Sequence, residues 1–382
     1  MPGTTDIISI FIPSLRGGGA ERVMVTLANG FAGQGHRVDL VLARAEGPYL
    51  ADVSARVRVV DLGASRVLTS LPGLVRYLRR EKPHAMLSAL NHANVAAIAA
   101  RMLAGVPTRL VVSERNHVTR SMQASRDLAS RAVIRLMAWL YPHADGIVAI
   151  SSGVADDLAR AAGLPRDSIA VVYNPAVTPR VKALAGESPS GGCLAAGSLP
   201  VILGAGRLTA QKDFPTLIRA FARVRSHVPC RLVILGEGEL RAELKALADS
   251  LGLDGDVSMP GFVDNPYACM SRAAMFVLSS RWEGFGNVIA EAMACGCPVV
   301  STDGPSGPAE ILEGGRWGRL VPVGDADALA ESMLATLSEE RHPEVARRAG
   351  DFGLDQALAK YSDMLGIKTP GPECPRHRAC HG

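Results

Sequence analysis

The segment Gly204-Ala205-Gly206-Arg207-Leu208-Thr209-Ala210-Gln211-Lys212-Asp213 carries two cations, Arg207 and Lys212, after an apolar run and before a helical one. A helix start offers unpaired N–H groups and the positive end of its dipole, so it favours anions. A planar guanidinium fork and a compact ammonium together suit a group with several oxygens, such as a diphosphate. A solvated surface loop would carry the same charges. The second segment is Arg281-Trp282-Glu283-Gly284-Phe285-Gly286-Asn287-Val288-Ile289-Ala290-Glu291-Ala292-Met293-Ala294-Cys295-Gly296. Its glycines let a backbone pass close to a ligand, and N–H groups near Gly286, Asn287 and Val288 could bind phosphate. Glu291, about one turn into the predicted helix, is an anion and no phosphate ligand. A carboxylate instead accepts hydrogen bonds from vicinal hydroxyls such as those of a ribose. Glu283, at the turn, could hold hydroxyls of a second sugar. An N-cap turn with an exposed helical Glu is the plainer alternative.

Such segments need a scaffold to place them. Seven short β-rich runs precede residue 178 and six follow residue 200, each separated from the next by loops or helical runs. Apolar strands alternating with helices give βαβ units and parallel sheets covered on both faces. The expected fold class is α/β, with two Rossmann-like doubly wound domains facing an interdomain cleft. The Gly-, Ser-, Pro- and Ala-rich stretch Thr178–Pro200 reads as a linker. The expected organisation is a first domain over 1–178, a linker over 179–199 and a second domain over 200–350. A helix over 351–366 would pack back on the first domain, and 367–382 would be a disordered tail. The 382 residues are 48% hydrophobic and 20% charged, which excludes a wholly disordered chain. Lys and Arg number 41 against 37 Asp and Glu, too small an excess to point to nucleic acid. Seven cysteines without a framework spacing, no signal-peptide pattern and no long apolar run suggest a reduced, cytoplasmic protein.

Glu283 and Glu291 match the E-x7-E motif of retaining GT-B glycosyltransferases, and the run EGFGNVIAEAMACGCPVVSTDGPSGPAEIL resembles glycosyltransferase family 4. It is most similar to the members that build bacterial cell-envelope polysaccharides. GRLTAQKDFPTLIRAF, LVILGEGELRAELKALA, MPGFVDNPYACMSRA and the N-terminal LRGGGAERVMVTLANGFAGQGHRV match the family's other segments in order, over roughly residues 6–366. The resemblance implies that Arg207 and Lys212 bind the donor diphosphate, Glu291 the ribose and Glu283 the transferred sugar. Backbone groups at Gly206, Phe285, Gly286, Asn287 and Val288 would complete the site. Gly236 and Gly238 would border the nucleotide pocket, Phe262 and Val263 would lie near the base, and Gly18 and Gly19 would approach the phosphates. The expected partners are a UDP-sugar, or another nucleotide sugar, and a glycan or lipid-diphosphate-linked acceptor.

The family implies retention of anomeric configuration with no side-chain nucleophile and no cofactor. Asp325-Ala326-Asp327 has the D-x-D pattern of metal-dependent enzymes of another fold. It precedes an Ala- and Leu-rich helical run, where Asp is ordinary N-cap chemistry, so no metal is expected. Many relatives carry a His in the first domain near the reacting sugar; here the matching position is Arg115, with His117 two residues later, and either could face the sugar. From Arg101 to His143 seven arginines interleave with apolar residues. A basic amphipathic helix of this kind could lie on the cytoplasmic face of the inner membrane, or simply carry an Arg-rich solvent face. Cys374, His377, Cys380 and His381 match no zinc module. The competing functions are a GT-B epimerase or a non-catalytic nucleotide-sugar-binding protein. An NAD-dependent oxidoreductase lacks the G-x-G-x-x-G spacing at Gly17–Gly19.

Overall fold

The computed structural model describes residues 7–120, 128–189 and 199–367. Strands β1 (Ile7–Ile12), β2 (Arg37–Leu42), β3 (Val57–Asp61), β4 (Ala85–Ala89), β5 (Arg109–Glu114), β6 (Gly146–Ala149) and β7 (Ile169–Val171) form a sheet in the order β3-β2-β1-β4-β5-β6-β7. Strands β8 (Val201–Ala205), β9 (Arg231–Leu235), β10 (Val257–Gly261), β11 (Met275–Leu278), β12 (Val299–Thr302) and β13 (Arg319–Val321) form a second sheet in the order β10-β9-β8-β11-β12-β13. The pairs of β8 with β9 and with β11 are parallel, as are β1 with β2 and with β4. Every residue of β1 is buried, which a parallel strand covered on both faces requires. The GT-B expectation of two parallel α/β sheets holds in this strand order.

The chain forms two compact units that interleave along the sequence: Met1–Ser113, Trp139–Ile147 and Leu358–Gly382 in one, Glu114–Ala138 and Val148–Ala357 in the other. In the second unit, the helix Phe214–His227 lays Leu217, Ile218, Phe221 and Val224 on a core that includes Ile234, Val277, Leu329 and Met333. In the first unit, the helix Leu354–Leu365 contributes its later residues. Arg109 Nε donates to the Met364 carbonyl (2.7 Å), and Tyr361 and Ser113 hydroxyls lie 3.4 Å apart.

One local difference from the sequence reading has a physical cause. Pro179–Ala185, expected in the linker, is a helix. Pro179 fits a first helical turn, Val181 is buried, and Asn265 Nδ2 and Ser271 Oγ donate to the carbonyls of Leu184 and Ala185 (2.9 and 2.8 Å). Gly19 opens the helix Gly19–Gly33, with Gly18 as its N-cap. Cys230, Cys295 and Cys297 are free thiols. Burial pushes the Cys295 thiol up to about 11. The tail motif at Cys374–His381 lies outside the described residues.

A buried polar chain ties β1, β2 and β3 to the helix Leu71–Glu81. Asp39 is fully buried; it accepts from Tyr77 Oη (2.7 Å) and Arg58 Nε (2.8 Å), and Ser9 Oγ lies 2.6 Å from Tyr77 Oη. Burial, with Asp39 beside it, pushes the Tyr77 phenol above its ordinary value. Tyr77→Phe should destabilise the protein by about 1–3 kcal/mol, since it strips a partner from buried groups. A denaturation midpoint equal to wild type would show that the chain does not hold these elements together.

Candidate active site

Strand order brings the two candidate segments together. β8 and β11 are neighbours in the second sheet, and β9 and β12 lie on their outer sides. Chain order reverses between β8 and β11, and loops at such a switch point open a crevice beyond the carboxyl ends of the strands. The loop after β8 holds Arg207 and Lys212; the loop after β11 holds Glu283. Lys212 Nζ lies 2.6 Å from Glu283 Oε1, with both side chains largely buried. Ser280 Oγ donates to the same oxygen (2.7 Å). The backbones are stitched beneath this pair: Ser279 Oγ donates to the Lys212 carbonyl (2.8 Å), Gln211 Nε2 to the Trp282 carbonyl (2.9 Å) and Arg281 N to the Gln211 carbonyl (2.8 Å). Asp213 closes the joint with Arg281 (3.1 Å) from a left-handed φ of +47°. An ammonium has three donors, so Lys212 keeps capacity for an anion while bound to Glu283. Arg207 is exposed and forms no ion pair among the described residues.

The glycines around the joint serve close backbone approach. A Cβ on Gly236, at φ +129°, would lie 2.1 Å from the Gly206 carbonyl oxygen, and one on Gly238 would lie 2.4 Å from that of Leu208. The loop after β9 therefore rests directly on the Arg207 loop. A Cβ on Gly284 would lie 2.4 Å from the Arg115 carbonyl oxygen. Arg115 and His117, on the segment after β5, are thus beside the Glu283 turn, and both are buried instead of solvent-facing. His117 Nδ1 lies 3.0 Å from Asp157 Oδ2, which also accepts from Thr119 N (3.0 Å).

Two family models match the chain: "Glycosyltransferase Family 4" over residues 17–179 and "Glycosyl transferases group 1" over residues 194–352. The chain belongs to glycosyltransferase family 4. It is 35% identical over 253 residues to a Campylobacter jejuni N-acetylgalactosaminyltransferase named for a diphospho-undecaprenol-linked substrate, covering 66% of each chain. It is 28% identical over 375 residues to the lipopolysaccharide core biosynthesis glycosyltransferase LpsE of Rhizobium meliloti, covering 92% of this chain and 96% of the relative. Among solved structures, Anabaena HepE in complex with UDP matches with a TM-score of 0.77 at 22% identity, over 94% of this chain and 99% of that one. A lipopolysaccharide outer core galactosyltransferase matches at 0.74 and 20% identity, over the same shares. These structures have the GT-B fold.

Within this family 4 chain the structure gathers Gly206, Arg207, Lys212, Gly236, Gly238, Glu283, Phe285, Gly286, Asn287, Val288, Glu291, Arg115 and His117 in the second unit, while Gly18 and Gly19 belong to the first. Glu291 is buried, not an exposed helical residue. Gly286, at φ +95°, is the N-cap of the helix Asn287–Ala294, with no side chain capping it. The Phe285 ring is packed inward, stacked on Tyr173 (5.4 Å) and edge-on to Phe352 (5.3 Å), so the ring is not presented to a ligand. Phe262 is 76% exposed just beyond β10, and Val263 is half-buried beside it. Asp325 caps the helix Ala326–Ser338 by accepting from Asp327 N (3.1 Å) and Ala328 N (2.9 Å), and Asp327 pairs with Arg223. Ser280, Gln211, Ser151, Asp157 and Glu310 are contributions that sequence reading missed. Each is a common polar residue with no spacing to betray it; Ser280 meets Glu283 three residues on, and the others have partners distant in the chain.

Burial opposes the charge on Asp157, but the His117 imidazole and the Thr119 hydroxyl and amide hold its carboxyl below the usual 3.8. A depressed folded value means stability that is present above 3.8 and lost as pH falls through the folded value. Asp157→Asn should lower the melting temperature at neutral pH, and the gap to wild type should close as pH falls below 3.8. A gap of constant size across that range would remove the charge of Asp157 as its cause.

Proposed function

We propose that the chain moves a hexose or N-acetylhexosamine from a UDP-sugar to a glycan or lipid-diphosphate-linked acceptor in cell-envelope polysaccharide synthesis. The transfer keeps the anomeric configuration and uses no metal ion. The observation that carries the reading is the joint between Lys212 and Glu283 beside the exposed Arg207, at the sheet's switch point. Cationic groups there meet the diphosphate, and a carboxylate on the adjacent turn meets the sugar hydroxyls. Glu291, buried one helical turn beyond Gly286, is the carboxylate for the ribose. The relatives named for lipopolysaccharide core and diphospho-undecaprenol substrates support the acceptor class, and the HepE complex with UDP supports the donor.

In the proposed reaction the acceptor hydroxyl oxygen bonds to the anomeric carbon on the face from which the diphosphate leaves. The bond from that carbon to the β-phosphate oxygen breaks, and the hydroxyl proton passes to the departing phosphate. Arg207, Lys212 and the N–H groups at the start of the helix Asn287–Ala294 stabilise the charge that builds on the phosphate. Preorganised donors of this kind are commonly the largest catalytic contribution. A metal-free reading is favoured by the engagement of Asp325 and Asp327 in a helix cap and an ion pair.

The proposal extends to contact with an anionic cytoplasmic leaflet through the helix Leu128–Leu140. Trp139 is 64% and Leu136 41% exposed, and Arg120 and Arg135 are exposed nearby in sequence. The seven arginines of this region are not one lipid-facing set: Arg101 is paired with Asp145, Arg109 is bonded to Met364, and Arg115 is buried. No helix of the described residues is long and apolar enough to cross a membrane.

Incubation with UDP-, GDP- and ADP-sugars, followed by nucleotide release, tests the reading. Lys212→Ala and Arg207→Ala should each lower kcat by about 10²–10³, and full activity in Arg207→Ala would contradict its role. Turnover should survive a chelator; loss with recovery on adding Mn²⁺ would overturn the metal-free step. Binding of nucleotide sugar without transfer to any acceptor would leave a binding protein only. Flotation with anionic liposomes at low salt tests the membrane contact, and a protein that stays in the dense fraction removes it.

A further inference from the structure

Glu310 lies in the short helix Pro308–Ile311 after β12, outside the segments 204–213 and 281–296, and the reaction proposed above gives it no task. Its two carboxylate oxygens accept from Ser152 N (2.8 Å) and Gly153 N (2.9 Å), the first amides of the helix Ser152–Ala162. The next amide, Val154 N, donates to Ser151 Oγ (3.2 Å), and the same hydroxyl donates to the Gly284 carbonyl (2.8 Å). Holding the helix start therefore holds the carbonyl next to Glu283. The contact is close throughout: a Cβ on Gly153 would lie 2.8 Å from the Ser306 Cα.

Glu310 also reaches the turn by a second path. Its side chain is hydrogen-bonded to Tyr173, and the Tyr173 ring stacks on Phe285, two residues past Glu283. Arg348 Nη2 fixes the Glu310 backbone by donating to its carbonyl (2.8 Å). One carboxylate thus controls both Gly284, through Ser151, and Phe285, through Tyr173.

We propose that Glu310 is a positioning residue that keeps the turn 283–286 in register with Lys212. Its kinetic consequence rests on the donor-site reading above; its structural consequence does not. Hydrogen exchange on the ligand-free full chain reads the second. Glu310→Ala should speed exchange about tenfold or more in peptides spanning 279–290, because the local opening becomes easier. Glu310→Gln, which keeps one accepting oxygen, should show a smaller rise. In steady-state assays Glu310→Ala should lower kcat by about 10–100-fold, the scale of a small misplacement at a reacting centre, with a smaller change in donor KM and partial recovery in Glu310→Gln. Where Glu310→Ala does not fold, Ser151→Ala and Glu310→Gln serve instead: both act on one path, so their effects on exchange should be less than additive in the double variant. Unchanged exchange at 279–290 in folded Glu310→Ala, or full additivity in the double variant, would overturn the proposal. Faster exchange in a protein whose wild type turns over no nucleotide sugar would uphold the positioning and sink the donor reading.

Discussion

An ammonium and a carboxylate 71 residues apart in the chain meet at 2.6 Å with little access to water. Removing such charges from solvent is costly unless good geometry and further hydrogen bonds compensate. Ser280 supplies one of those bonds, and the backbone links from Ser279, Gln211 and Arg281 hold the loops in place around it. The pair can form only because β8 and β11 are adjacent and parallel, which puts the loops leaving them at the same edge of the sheet. The remaining features of the site follow from keeping this joint in place while leaving Arg207 and the amides after Gly286 open.

Much of that task falls to positions where a side chain is missing. The loop after β9 lies on the Arg207 loop with Gly236 against Gly206, and the segment after β5 lies on the Glu283 turn with the Arg115 carbonyl against Gly284. Backbone packed directly on backbone leaves few ways for either loop to move. The aromatic trio of Tyr173, Phe285 and Phe352 adds an anchor for the turn through the Phe285 ring. A turn held on several sides keeps its donors and acceptors preorganised, which is the condition under which electrostatic stabilisation is effective.

The residues proposed for the donor side could be nominated from sequence because the features that single them out are local. Cations after a strand, a glycine turn before a helix and carboxylates at a fixed offset all lie within short windows, and the alternation of strands and helices repeats often enough to give the fold class. The less local features were not legible. The helix Pro179–Ala185 hides in a composition that resembles a linker, because its stability comes from docking at Asn265 and Ser271 and not from its own periodicity. Arg115 and His117 could be numbered but not oriented, since a loop side chain has no period from which to read its direction. Their burial, with His117 beside Asp157, is a tertiary fact.

By itself the sequence determined two parallel α/β sheets, the family and which charged residues to nominate for the site, since periodicity and motif spacing are properties of neighbouring residues. The tertiary structure alone decided which of those charges neutralise each other, which residues close on the Glu283 turn and how the chain divides into interleaved units. These depend on strand order and on close approach between distant segments, and a linear string of residues carries no distance between its parts.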